Sequence, residues 1–127
     1  MTIKVLGINY GGHDTSACIM INGKLIAACE QERYDYDKHS RNFPLEAIND
    51  CLKIAKIKIK DLDVVALGTN PATIIKERYL KKALYEKDRI NFLLNDIEKI
   101  KKLNDMEPFI RKKLNFNINH YPKFKNK

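Results

Sequence analysis

Three apolar runs, cut by two tight-turn signals within the first thirty-two residues, constrain this chain more than any other feature of its sequence. Ile3-Lys4-Val5-Leu6-Gly7-Ile8-Asn9 is rich in β-branched and apolar side chains, which predicts a strand buried on both faces and central to a sheet. It stops at Gly11-Gly12-His13-Asp14, and a second apolar run follows from Thr15 to Ile21. Asn22-Gly23 then supplies the two residues that accept positive φ in a type I′ turn, so Lys24 to Glu32 returns as a third strand. Two successive hairpins make a three-stranded antiparallel meander.

The first of these turns concentrates polar chemistry at one place. Gly11 and Gly12 lack a Cβ, so a ligand can approach their backbone closely, while His13 and Asp14 put a titratable base and a carboxylate beside them. Such a turn suits a phosphate or an acyl group. A hairpin whose turn is merely polar fits the stretch Leu6 to Asp14 as well, and both alternatives stay open on local sequence alone.

Beyond the meander the pattern breaks at Arg33 into a polar loop that runs to Phe43. Leu45, Ile48, Leu52 and Ala55 then recur at three- and four-residue spacing behind Pro44, predicting a helix from Pro44 to Ile57. Val64-Val65-Ala66-Leu67-Gly68 reads as a fourth buried strand closed by Thr69-Asn70-Pro71. After Pro71 the texture becomes helical, from Ala72 to Glu86 and from Asp88 to Leu103, with Ile90, Leu93, Leu94, Ile97, Ile100 and Leu103 on one face. A short helix is expected from Phe109 to Leu114 and a strand-like stretch from Asn115 to His120. The tail from Pro122 to Lys127 has no pattern that completes a sheet, so an interrupted element and an incomplete chain are expected. The organisation is 1–70, 71–114 and 115–127: a first unit, a lysine-rich helical extension, and a broken strand with its tail.

Charge divides the chain at the same place. Residues 1–70 hold nine Lys/Arg and nine Asp/Glu, whereas residues 71–127 hold fifteen and seven, so the whole net charge of +8 lies in the second part. Those lysines alternate with Glu, Asp and aliphatic residues at helical spacing, which favours a solvated helix face over a nucleic-acid surface. A small basic nucleotide- or nucleic-acid-binding module is the alternative. Cys18, Cys29 and Cys51 are odd in number and widely spaced, which suits neither a disulfide framework nor a metal knuckle; they read as small core residues. No apolar run approaches the roughly 20 residues that span a bilayer, and no basic segment with an apolar signal core opens the chain, so no membrane partner and a cytoplasmic location are expected.

The order meander, helix, strand is similar to the first half of the ribonuclease-H-like unit of sugar kinases, actin and related ATPases, in which the first hairpin turn faces the nucleotide phosphates. The expected class is therefore α/β: a partial ribonuclease-H-like lobe followed by a helical extension. The residues carry a narrower likeness. Leu6-Gly7-Ile8-Asn9 with Gly12-His13-Asp14, then Ala27-Ala28-Cys29-Glu30-Gln31-Glu32-Arg33-Tyr34, Lys38-His39, Phe43-Pro44, Ala47-Ile48 and Cys51-Leu52, resemble the N-terminal domain of carbamoyltransferases of nodulation-factor and antibiotic biosynthesis. The likeness covers roughly residues 3–70.

That resemblance implies an ATP-dependent O-carbamoyltransferase. Carbamoyl phosphate and ATP would give a carbamoyl-adenylate, whose carbamoyl group passes to a hydroxyl of a sugar or other small molecule. The transfer is implied for a kinase-like N-terminal domain, and the activation for a C-terminal adenylate-forming domain or a separately encoded partner chain. His13 is the implied base and Asp14 its orienting carboxylate or an aligner of the acceptor hydroxyl. Asn9, Gly11, Gly12, Arg33 and Lys38 are the implied substrate and nucleotide contacts, the two cations because their donors suit phosphate oxygens. For Glu32 and Arg33 a salt-bridged strand end remains equally open, and His39 reads as a surface residue with nothing local to pair with. The family also implies a divalent metal or iron on two histidines four residues apart. Here His120 has Phe at position 124, so no metal site is expected. A chain holding only the start of the first domain is expected to be inactive alone.

Overall fold

The computed structural model describes residues 1–68, 75–115 and 123–126, and in it the three apolar runs form the expected meander. Strands β1 (Lys4–Asn9), β2 (Ser16–Ile21) and β3 (Lys24–Glu30) pair antiparallel, with Lys4 opposite Ile21 and Asn9 opposite Ser16. Asn22 and Gly23 both take positive φ, 51° and 79°, as a type I′ turn demands. The Ile3 N–H donates to Asn22 Oδ1 at 2.8 Å and pins this turn to the start of β1. β3 ends at Glu30, two residues earlier than expected, because Gln31 opens the helical turn α1 (Glu32–Asp35). The Gln31 side chain is buried, donating to Glu46 at 2.6 Å and accepting from the Ala47 N–H.

Helix α2 (Leu45–Ala55) crosses back over the sheet, as a parallel connection requires, and delivers β4 (Val64–Leu67) alongside β1. The tail then departs from expectation. Lys123–Asn126 forms a fifth strand, β5, parallel to β4, so the order across the sheet is β3-β2-β1-β4-β5. A strand on an open edge needs only its backbone N–H and C=O groups, which explains why Lys-Phe-Lys-Asn gave no side-chain signal. An antiparallel meander followed by two strands parallel to the first is the ribonuclease-H-like arrangement, and the fold is of that α/β class. Of the strand-like stretch 115–120, only Asn115 is described, as a turn residue at φ 51°; residues 72–74 and His120 also lie outside the described residues.

Only one face of the sheet is covered among the described residues. Leu6 and Ile8 of β1, Ala17 and Ile19 of β2, Ala27 of β3, and Val65 and Leu67 of β4 are buried against Ala47, Ile48, Cys51 and Leu52 of α2. Met106, Ile110 and Leu114 join the same core from α5 (Met106–Lys113) and the residue after it. Val5 and Gly7 are only half-buried, which corrects the expectation of a strand buried on both sides: the helices lie on one face.

The lysine-rich segment is helical, but not as its periodicity suggests. A π-helical stretch Ile75–Leu80 runs into a short α3 (Lys81–Ala83), and α4 spans Arg89–Asn104. Tyr79 is buried and donates to Asp96 at 2.7 Å. On α4, Ile100 is buried while Ile90, Leu94 and Ile97 of the same stripe are exposed. Several of its cations pair within the helices, Lys99 with Asp96 and Lys101 with Glu98, as Arg89 does with Glu86 just before α4. None of the described helices is long and apolar enough to cross a membrane.

Candidate functional site

The site is built where β1 stops. Asn9, Gly11 at φ 104° and Asp14 at φ 59° turn the chain sharply, and the Asn9 side-chain amide donates to the Asp14 carbonyl at 2.9 Å, closing the loop on itself. A non-glycine residue at positive φ is held there only by its surroundings. For Asp14 those surroundings are two imidazoles. His13 Nδ1 lies 2.6 Å from Asp14 Oδ2, and His39 Nδ1 lies 2.8 Å from Asp14 Oδ1. One carboxylate therefore bridges two histidines, its neighbour in the chain and one 25 residues farther on.

His39 reaches this position because its loop is fastened at several points. The Thr15 N–H donates to the Ser40 carbonyl at 3.1 Å, joining the loop to the start of β2. Asp35 accepts from the Ser40 hydroxyl, from the Asn42 amide and from the Asp37 N–H, which curls residues 35–42 into a compact turn. Those donors hold the Asp35 carboxyl below its usual range. The His39 N–H donates to Glu32 at 2.8 Å, and His39 itself sits at φ 58°. His39 is exposed, as sequence suggested, but its ring is paired, which overturns the expectation that nothing meets it. Local sequence could not show this partner, because Asp14 approaches from across the sheet end.

Electrostatics follow from that pairing. Hydrogen bonds from His39 and then His13 lower the Asp14 pKa, and the bond to Asp14 raises that of His39. Both groups are solvent-facing, so the pair is held by geometry and charge rather than by burial. Lys38, Arg41 and Asp37 line the same hollow of about 500 Å³ as His13, Asp14 and His39. Arg41 was not singled out by sequence.

A second, larger groove of about 690 Å³ lies on the uncovered face of the sheet. Its floor is a row of small side chains set by strand register, Ala28, Cys18, Gly7 and Ala66, with Asn9 and Arg33 at its edge. At Gly7 a Cβ would come within 2.6 Å of Cys18 Sγ, so the Cys18 thiol must shift to admit any larger residue. The volume is in the range of small-molecule ligand sites. Arg33 makes no ion pair among the described residues and Glu32 binds the His39 backbone, so the salt-bridged strand end is not formed. The implied site residues are thus separated. Of the nucleotide and substrate contacts, Asn9 and Arg33 line the groove, Lys38 lines the hollow with the implied catalytic pair His13 and Asp14, and Gly11 and Gly12 lie in the turn and line neither.

Behind the turn, three rings join the two halves of the chain. Tyr10 stacks on Phe109 of α5 at 5.6 Å with planes 10° apart, and Phe43 meets both edge-on, at 5.4 and 5.5 Å. Farther along, the Tyr34 hydroxyl donates to Asp50, which raises the tyrosine pKa, and Cys51 is pushed up to about 12 by burial. The free Cys51 thiol is a core residue, as expected. The two histidines four residues apart that the resemblance implies for a metal do not occur in this sequence, whose three histidines are 13, 39 and 120.

Comparison with known proteins adds the following. The family described as carbamoyltransferase N-terminus matches residues 4–124. The uncharacterized protein sll1178 of Synechocystis sp. is 36% identical over 67 residues, 53% of this chain and 11% of that protein. The nodulation protein NolNO of Sinorhizobium fredii is 39% identical over 54 residues, 42% of this chain and 8% of that protein. An uncharacterized 19.2 kDa protein of Rhizobium etli is 37% identical over 54 residues, 32% of its length. The chain therefore spans between a twelfth and a third of these relatives. Among solved structures, YeaZ from Pseudomonas aeruginosa is similar with a TM-score of 0.43 and 17% identity, over 54% of this chain and 30% of that one.

Proposed function

Because the chain belongs to the carbamoyltransferase N-terminus family, we propose that it carries the acceptor side of an ATP-dependent O-carbamoyl transfer, with the remainder of the enzyme supplied by further polypeptide. The observation that supports this best is the Asp14 carboxylate bridging His13 and His39 at the turn between groove and hollow. Donation of the His13 Nδ1–H to Asp14 leaves Nε2 as the basic lone pair, a tautomer assigned from the hydrogen bond. Nε2 takes the proton of the acceptor hydroxyl as its oxygen bonds to the carbamoyl carbon of the carbamoyl-adenylate. The bond from that carbon to the adenylate oxygen breaks, and AMP leaves with the electron pair. Asp14 stabilises the imidazolium that forms, and His39 holds the second carboxylate oxygen so that the first stays aimed at His13.

The groove residues serve the other reactant. Its small floor admits a planar base or ribose against the sheet, and Arg33 and Lys38 offset the charge of the departing adenylate. A cleft enzyme needs both walls to orient two substrates and exclude water, so the chain by itself is inactive. The acceptor is a small-molecule hydroxyl.

The test supplies ATP, labelled carbamoyl phosphate and a sugar acceptor to the purified chain, alone and with the remainder of a carbamoyltransferase as a separate polypeptide. No turnover alone, transfer on complementation, and loss of that transfer in His13→Ala are expected. Robust turnover by the chain alone would overturn its incompleteness, and transfer that survives His13→Ala would overturn the base assignment.

A further inference from the structure

Beside the turn, Asp14 and His39, which the transfer reading uses to orient His13, also meet a third side chain, Glu32, which that reading does not use. One carboxylate oxygen each from Asp14 and Glu32 and one ring nitrogen of His39 lie within 4.8 Å of one another. They come from three segments, the turn after β1, the start of α1 and the loop after it. We propose that Asp14, Glu32 and His39 form a divalent transition-metal site of the zinc type, separate from the paired-histidine site of the family, with a fourth position open to water or an anion in the hollow. The metal site shares Asp14 and His39 with the carbamoyl-transfer reading, and its test reads metal binding without turnover, so the failure of one is distinguishable from the failure of the other.

Geometry comes first. Ligands bonded to one zinc ion at about 2.0–2.2 Å sit about 3.0–3.5 Å from each other. His39 Nδ1 and Asp14 Oδ1 are already 2.8 Å apart, so for this pair an ion replaces the proton between them with a shift of a few tenths of an ångström. Glu32 is held nearby, one of its oxygens accepting the His39 N–H at 2.8 Å, and its carboxylate closes by about 1 Å from the 4.8 Å span of the set to complete the site. His13 binds Asp14 through the other oxygen, so it remains as the partner that orients a ligating carboxylate.

Charge points the same way. Neither Asp14 nor Glu32 makes an ion pair with Lys or Arg among the described residues, although Lys38 and Arg41 line the hollow. Two carboxylates and one neutral imidazole offset a divalent cation fully, and this donor set suits zinc, manganese or ferrous iron rather than calcium, which takes oxygen ligands alone. The site is half-exposed, so an ion enters without opening the fold.

The experiment titrates the full chain, freed of metal by a chelator, with Zn²⁺ by calorimetry and with Co²⁺ by visible absorption and paramagnetic NMR broadening. Saturable one-to-one binding is expected, with broadening centred on the amides of Asp14, Glu32 and His39. His39→Ala and Glu32→Gln should each weaken binding at least tenfold, while His120→Ala leaves it unchanged. His39→Gln, checked for folding by circular dichroism, provides a second variant should the alanine form unfold. Absence of one-to-one binding, broadening centred on Cys18 or His120, or binding that survives both His39→Ala and Glu32→Gln would overturn the proposal.

Discussion

Removing the Phe109 ring should loosen the junction that ties the lysine-rich half of the chain to the glycine turn. Phe109 is half-buried, stacks on Tyr10 at 5.6 Å and receives Phe43 edge-on at 5.5 Å. Each aromatic pair contributes about 0.5–1.5 kcal/mol beyond area burial. A fully buried Phe→Ala change costs about 3–5 kcal/mol, and half-burial reduces that. Phe109→Ala is therefore expected to destabilise by about 2–4 kcal/mol, a large fraction of the roughly 5–15 kcal/mol that holds a domain together. Urea unfolding at low protein concentration reads this as a fall in midpoint at unchanged slope. Phe109→Leu should lose about half as much, and Leu84→Ala, which truncates a side chain that is 80% exposed, should stay within about 0.5 kcal/mol of wild type. Because Tyr10 leads directly into Gly11, the Phe109→Ala protein should also show shifted His13 resonances before it unfolds. A Phe109→Ala midpoint equal to that of wild type, or a Leu84→Ala loss as large, would refute the claim that α5 is docked beneath the turn.

Three further expectations concern the same region. Gly7→Ala places a Cβ 2.6 Å from Cys18 Sγ and should cost about 1–3 kcal/mol, with Cys18→Ala in the same chain restoring much of it in a double-mutant cycle. Thr15→Val should be neutral or stabilising in thermal melts, since the Thr15 hydroxyl is buried without a hydrogen-bond partner. In chelator-treated protein, Asp14→Asn should flatten the pH dependence of stability. The lowered Asp14 pKa gives a contribution lost as pH falls through its folded value, and the raised His39 pKa gives one lost as pH rises through its own, so the pair stabilises between the two.

How far sequence carried the description depends on whether each signal was local. The Asn22-Gly23 turn was legible because its backbone requirement lies within two residues, and α2 because its apolar spacing repeats over three turns. β5 was not legible, since an edge strand recruited by backbone pairing leaves no mark in side chains. The stripe on α4 misled in another way: periodicity reports an amphipathic helix but not what covers it, and Ile90, Leu94 and Ile97 are exposed. At the site, His13 and Asp14 were marked by their adjacent glycines. His39 carries no local signal because its partner stands 25 residues away in the chain, and for Glu32 sequence leaves a salt bridge and a functional contact equally open, whereas its bond is to the His39 backbone N–H. Tyr10, Phe43 and Phe109 carried no hint that they share one cluster.

Amide and histidine chemical-shift mapping with a non-hydrolysable carbamoyl-adenylate analogue tests most directly whether groove and turn form one ligand site. Saturable shifts are expected at Gly7, Arg33 and Gly68 along the groove and at His13 and Lys38 in the hollow, with Arg33→Ala weakening binding several-fold. No shifts up to millimolar ligand, or shifts confined to the lysine-rich helices between residues 75 and 113, would contradict it.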